Sequence, residues 1–147
     1  MSSLTDNALR QKPTFRLLLI SGVALALGCA VADVLEVAGV DPRLKWVNDV
    51  WVSGKKVAGI LVKAESTGAD IDFVVAGIGI NINGHARDFP SVAATTVEDE
   101  LGCESCIPDL EVFLWQSIDR WLGRLTDPQQ IIAAFRSRDA LAGKRVI

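Results

Sequence analysis

Three short blocks between Lys45 and Asn81 carry the residues best suited to chemistry. They are Lys45-Trp46-Val47-Asn48-Asp49, Lys55-Lys56-Val57-Ala58-Gly59-Ile60-Leu61-Val62 and Gly77-Ile78-Gly79-Ile80-Asn81. Lysines on strand and hairpin positions can be aimed by rigid elements. Glycines inside a β-branched run often mark a close approach by a ligand or another backbone. An asparagine amide carries both a donor and an acceptor, enough to read a nucleobase edge. Cations beside bare backbone suit an anionic, nucleotide-like ligand. The same residues equally suit exposed hairpin lysines and glycines that relieve packing, and the pattern by itself leaves both readings open.

Other chemistry-bearing residues point to less. Cys103 and Cys106 have CxxC spacing, but no second pair follows and His85 is the only histidine, so a four-ligand zinc site cannot be assembled in the usual way. No nucleophile context surrounds His85, which reads as a surface loop residue. The sequence has no Walker-type phosphate loop.

Several elements must position the three blocks. Leu17, Ile20, Ala24, Leu27, Val31, Val34 and Ala38 recur at 3-4 spacing and predict a helix from Thr14 to Ala38, with Pro13 before it and Gly39 after. Leu17 to Ala32 is uncharged and follows Arg10, Lys12 and Arg16, which also fits a signal segment ending near Gly28-Cys29. That run is shorter than the roughly 20 residues needed to span a bilayer, and its phase continues through Asp33 and Glu36; a buried core helix is the better reading. Short strands are expected at Arg43–Trp46 and Val50–Val52, with Ser53-Gly54 turning the chain into a strand over Lys55–Glu65. Ser66 to Asp70 reads as a loop and Ile71 to Ile80 as a central strand. A long loop follows from Asn81 to Ala94. Helices are expected near Thr96–Leu101, over Pro108–Leu125 and over Pro128–Arg138. In the longest, Leu110, Leu114, Ile118, Trp121, Leu122 and Leu125 form the apolar stripe. Gly143 opens what reads as the start of a further strand.

The composition suits one globular domain: 147 residues, 50% hydrophobic and 22% charged. A net charge of −3 gives no general attraction to nucleic acid, and no helix-turn-helix pattern is present. Three cysteines do not form a disulfide framework, so a reducing cytoplasm is the expected location.

The three blocks, in this order, resemble the K-W-P-N-D, K-x-A-G-I-L-V-E and G-x-G-I-N motifs of biotin–protein ligases. Each is weak alone; three in register are specific. Phe89-Pro90 and Ala94-Thr95-Thr96 resemble the family's F-P…A-T-S pattern, and Gly143 to Ile147 its strand leading into a small C-terminal barrel. The resemblance implies an α/β (α+β) fold, a mixed sheet flanked by helices, like that of class II aminoacyl-tRNA synthetases. It also implies ATP-dependent joining of biotin to AMP, then transfer of the biotinyl group to a lysine of a carboxylase or carboxyl-carrier protein. By the same resemblance, Lys56 is the catalytic lysine that contacts biotin and the reacting centre, and Lys45 lies on the nucleotide side. Gly59, Gly77 and Gly79 are the ligand-facing backbone positions, Asn81 reads adenine, and Asp49 lies near Mg²⁺ and phosphate. Biotin, ATP and Mg²⁺ are thus the expected ligands, with the acceptor protein as partner and a homodimer compatible with the family; no nucleic-acid or membrane partner is expected.

Two residues depart from the pattern: Val47 stands for the motif proline and Lys63 for the glutamate after L-V. The family's G-R-G-R-x-G-R segment, which folds over biotin and phosphate, occurs nowhere in the 147 residues. Residues 1–147 are therefore expected to form a single partial catalytic domain, without the repressor-type DNA-binding module and without the C-terminal barrel. Three readings follow: a ligase with an incomplete catalytic domain, a nucleotide-binding half or subunit that needs a second chain, or a non-functional truncated fragment. A lipoate-type ligase is the nearest alternative activity.

Overall fold

A 26-residue helix, α1 (Pro13–Ala38), organises the structure. Gly39 ends it with φ +104°, donating back to the carbonyls of Leu35 and Glu36, a conformation that a side chain would disfavour. The computed structural model describes residues 13–67, 70–88 and 93–144. After α1 come β1 (Arg43–Lys45), β2 (Asp49–Val52), β3 (Lys55–Thr67) and β4 (Asp70–Ile80). Three helices follow: α2 (Val97–Leu101), α3 (Ile107–Leu122) and α4 (Pro128–Ser137). The class is α/β, a four-stranded sheet in the order β1-β2-β3-β4 with helices packed beside it.

All three described ladders are antiparallel. The parallel component of the expected mixed sheet is seen only as the isolated bridges Leu44–Asp139 and Lys56–Ala94. The first closes the outer edge of β1, where Leu44 donates to Arg138 and accepts from Ala140. The expected loop at Ser66–Asp70 is narrower than its span, because β3 runs to Thr67 and β4 begins at Asp70. Ser53 (φ +52°) and Gly54 (φ +77°) make the predicted tight turn, the conformation that matches the twist of two paired strands. Among its described residues, the Asn81–Ala94 loop contains a 3-10 turn at Ala86–Asp88. The expected resemblance at Phe89-Pro90 and the strand after Gly143 fall almost wholly outside the described residues.

The predicted apolar stripe on α1 is buried at Ala24, Leu27, Val31 and Val34, but burial does not extend back to Leu17 and is wider than the stripe. Leu17 is 71% exposed, whereas Cys29, Ala30, Ala32 and Leu35, which lie off that stripe, are fully buried. From Val23 onward the helix is covered on nearly every side, because it touches all four strands and both α3 and α4. A helix that is apolar all round is the sequence counterpart of such burial. Its small residues (Ala26, Gly28, Cys29, Ala30) let the sheet approach closely; a Cβ on Gly28 would already touch Leu44. By length and composition, Leu17–Ala38 could cross a membrane, but half of it is buried against the protein's own elements, as in a core helix.

Asp33 explains how a charge is tolerated there. Its Oδ2 accepts from Ser117 Oγ (3.0 Å), Arg120 (2.8 Å) and Trp121 Nε1 (2.6 Å), and its Oδ1 accepts from Arg138 (2.8 Å). Arg138 also reaches both oxygens of Glu36. One carboxylate thus joins α1 to α3 and to the end of α4. Along α3, Trp121 is buried and Leu114, Ile118 and Leu122 are half-buried, as the stripe predicts; the helix stops at Leu122 rather than Leu125.

Burial pushes the Cys29 thiol up to about 12, with the nearby Arg138 only partly offsetting it. Cys103 and Cys106 are exposed and free. Under native conditions a thiol-specific alkylating reagent should modify Cys103 and Cys106 quickly and Cys29 only on unfolding. Mass analysis of a labelling time course checks this; rapid native labelling of Cys29 would mean that α1 is not the core helix.

Candidate active site

The positions of the three motif blocks follow from strand register. Lys45 lies opposite Asp49, Asp49 opposite Gly59, and Gly59 opposite Gly79, so these four form one row across the sheet. Side chains at alternate residues share a face, which adds Trp51 and Gly77 to the same side. Lys56 requires one more step. Regular alternation would put it on the opposite face from Gly59, three residues on. The register shifts between Val50 and Trp51, leaving Val57 as an extra residue in β3, and Lys56 pairs with Trp51. This bulge returns Lys56 to the face that bears Asp49 and Gly59. Lys55, opposite Val52, goes to the other side.

The Lys56 ammonium is fixed tightly. Its Nζ lies 2.6 Å from Asp49 Oδ1, and the side chain crosses directly over Gly59. A Cβ on Gly59 would come within 3.2 Å of Lys56 Cε and Nζ, so that glycine clears the path of the lysine. The backbone of Lys56 is held from outside the sheet as well: its N–H donates to Ala93, and its carbonyl accepts from Thr95. Gly77 and Gly79 differ from Gly59. A Cβ on either would meet nothing within 4 Å, so neither relieves packing among the described residues. Instead they floor an open depression of about 430 Å³ lined by Asn48, Lys56, Gly59, Ile60, Leu61, Gly77, Ile78 and Gly79. A second depression, about 500 Å³ and lined only by apolar residues of α1, β4 and α3 and by Leu125, lies on the opposite face; of the motif blocks it takes only Ile78.

Asn81 follows the last paired residue of β4. Its backbone N–H donates to Val57, its carbonyl accepts from Val97, and its side-chain amide donates to the Thr95 carbonyl at 3.2 Å. The amide is therefore oriented by the segment that also clamps Lys56. Thr95 is itself buried and donates to Glu100, which in turn accepts from Ser53 in the hairpin turn. Beyond the resemblance of Ala94-Thr95-Thr96, nothing in the sequence marks Thr95 as part of this support. The sequence also does not mark Trp51, whose ring carries the Lys45 ammonium at 4.0 Å. The Trp46–Val47 peptide between β1 and β2 is cis.

His85 is bonded to Asp99 at 2.8 Å. The Ala86 N–H, then the His85 hydrogen bond, hold the Asp99 carboxyl below its ordinary range despite some desolvation. This pair pins the loop after Asn81 to α2, a structural use of the histidine. Cys103 and Cys106 join no metal-ligand cluster, and no group of three or more His, Cys, Asp or Glu converges among the described residues.

A sheet face on which Lys45, Lys56 and Asp49 meet beside a glycine-floored depression can hold an anionic ligand and stabilise charge at one point. Residues 1–81 match the Biotin/lipoate A/B protein ligase family, and the chain belongs to it. Its similarity is to the biotin-ligase catalytic domain. The bifunctional ligase/repressor BirA of Bacillus subtilis is 32% identical over 114 residues, 78% of this chain and 31% of that protein. The biotin–[acetyl-CoA-carboxylase] ligase of Mycobacterium tuberculosis is 33% identical over 135 residues, 84% of this chain and 46% of that one. Among solved structures, the biotin protein ligase from Aquifex aeolicus in complex with biotin and ATP superposes with a TM-score of 0.69 at 25% identity. It covers 82% of this chain and 52% of the Aquifex chain. The chain thus spans from 31% to 52% of the length of these relatives.

Proposed function

We propose that this chain supplies the lysine–glycine side of an ATP-dependent biotin–protein ligase site. In the first step a biotin carboxylate oxygen attacks the α-phosphorus of ATP. The bond to the β-phosphate oxygen breaks, giving biotinyl-5′-AMP and pyrophosphate. In the second, an acceptor lysine amine attacks the acyl carbon, AMP leaves, and the amine loses a proton. The observation that carries this reading is the single row Lys45–Asp49–Gly59–Gly79, with Lys56 leaning into it over Gly59.

Each residue has a role in that reading. Lys56 stabilises the charge that gathers as the carboxylate meets phosphate, more in the transition state than before it. Lys45 attracts the nucleotide phosphates. The bare backbone of Gly59, Gly77 and Gly79 admits the ligand, and Asn81 reads the adenine edge. Asp49 belongs to no cluster of three or more metal-ligating side chains among the described residues, which suits Mg²⁺ held chiefly by phosphate oxygens and water rather than by a protein cage. Such an ion offsets the charge on the leaving pyrophosphate. The acceptor in this reading is a carboxylase or carboxyl-carrier protein, and a homodimer is compatible with it. The Gly/Arg segment that closes over biotin comes from outside these 147 residues.

Binding tests the placement independently of turnover. Titration of the chain with Mg-ATP should move the amide resonances of Lys45, Lys56, Gly77, Gly79 and Asn81. Shifts confined to the apolar depression on the opposite face, or no binding at millimolar nucleotide, would refute it.

A further inference from the structure

We propose that Trp51 is a positioning residue for Lys45: its ring holds the Lys45 ammonium away from Asp49 and on the nucleotide side of the sheet face. The inference rests on the site reading above and extends it to a residue outside the three motif blocks.

Register sets up a competition. Lys45 lies directly opposite Asp49, and its ammonium could pair with that carboxylate. Asp49 instead bonds Lys56 at 2.6 Å, and Lys45 lies over the Trp51 ring, 4.0 Å from its centroid. The two lysines therefore lean in opposite directions. Lys56, from the row of Trp51, crosses to Asp49; Lys45, from the row of Asp49, crosses to Trp51. An indole face is the best aromatic partner for an ammonium and, being uncharged, does not compete with phosphate as a carboxylate would. Trp51 Nε1 is buried without a hydrogen-bond partner, the one such side-chain atom among the described residues. Its N–H contributes no bond to the protein, so the ring face is what this position supplies. Without the ring, Lys45 would fall onto Asp49 and loosen Lys56.

Nuclear magnetic resonance and a double-mutant cycle test this. In the ligand-free chain the Lys45 Hε resonances should be shifted upfield by the ring current. Trp51→Leu should abolish the shift, and Mg-ATP should reduce it in the unsubstituted chain. Trp51→Leu should weaken Mg-ATP binding about three- to tenfold, with Trp51→Phe in between. In a Lys45→Met background, Trp51→Leu should add nothing. A merely structural tryptophan would give equal losses in both backgrounds, and that result would overturn the proposal. So would an unshifted Lys45 in the unsubstituted chain, a measurement that needs no variant to fold. If the unsubstituted chain does not bind Mg-ATP, the site reading fails and this inference with it; if it binds but the cycle is additive, only this inference fails.

Discussion

Lys56→Ala should lower biotinyl-adenylate formation about 100-fold when the missing Gly/Arg segment is supplied, a barrier increase of roughly 3 kcal/mol. The expectation comes from how firmly the structure holds this one charge. The backbone of Lys56 is clamped between β2 and residues 93–95, its side chain crosses a glycine, and its ammonium ends on Asp49. A cation fixed in that way reorganises little as charge develops, which is the condition for large transition-state stabilisation. Lys55→Ala, on the opposite face and exposed at the hairpin end, should be near neutral. Asn81→Ala should mainly raise the KM for ATP, because adenine is remote from the reacting atoms. Single-turnover adenylation assays on the three variants check the pattern. Equal losses at Lys55 and Lys56 would show that the bulge at Val57 does not set the face as described.

Asp33→Ala should destabilise the fold by about 3 kcal/mol, the cost of removing one partner from a largely buried ionic network. The carboxylate is 14% exposed; its loss leaves the Trp121 N–H and the Ser117 hydroxyl without their acceptor and takes from Arg138 one of its two carboxylate partners, Glu36 remaining. For a chain of this size the melting temperature should fall by roughly 6–12 °C. The network also predicts a pH effect. Burial raises the Asp33 carboxyl, but hydrogen bonds from Trp121 and Ser117 and the nearby Arg138 outweigh it, so the net shift is downward. A depressed carboxyl contributes fully above its unfolded value, about 3.9, and the contribution is lost as pH falls through the folded value. Asp33→Asn should therefore show a shallower loss of stability below pH 4 than the unsubstituted protein. Thermal melts across that range measure both effects; identical acid profiles would remove Asp33 from the account.

Much of the fold was legible because its signals are local. A β-branched run marked β4, though as a central strand where it is the end strand of the described sheet; Ser53-Gly54 marked the hairpin of β2 and β3, and prolines marked the starts of α3 and α4. The motif blocks were legible as a resemblance, and the register brings Lys45, Asp49, Lys56, Gly59, Gly77 and Gly79 to one face. What escaped depends on contacts between distant residues or on one-residue details. The Val57 bulge has no marker in Lys56-Val57-Ala58, which reads as regular strand. Asp33 meets partners 84 to 105 positions away, and no periodicity predicts such a meeting. Leu17 fits the apolar phase of α1, but phase cannot say where the covering elements end. Lys45 and Trp51 lie on neighbouring strands, and their stacking depends on where Lys56 goes.

Whether this face is one side of a ligase site is decided by biotin-dependent exchange of pyrophosphate into ATP, measured for the 147-residue chain alone and with a polypeptide carrying the Gly/Arg segment of a close relative. Little or no exchange is expected for the chain alone, and exchange that Lys56→Ala abolishes is expected with the segment present. Exchange by the chain alone at the rate of a working ligase would contradict the claim that this face is one side of a two-part site. No exchange with the segment supplied, although Mg-ATP binds, would contradict the claim that Lys56 and its row carry the chemistry.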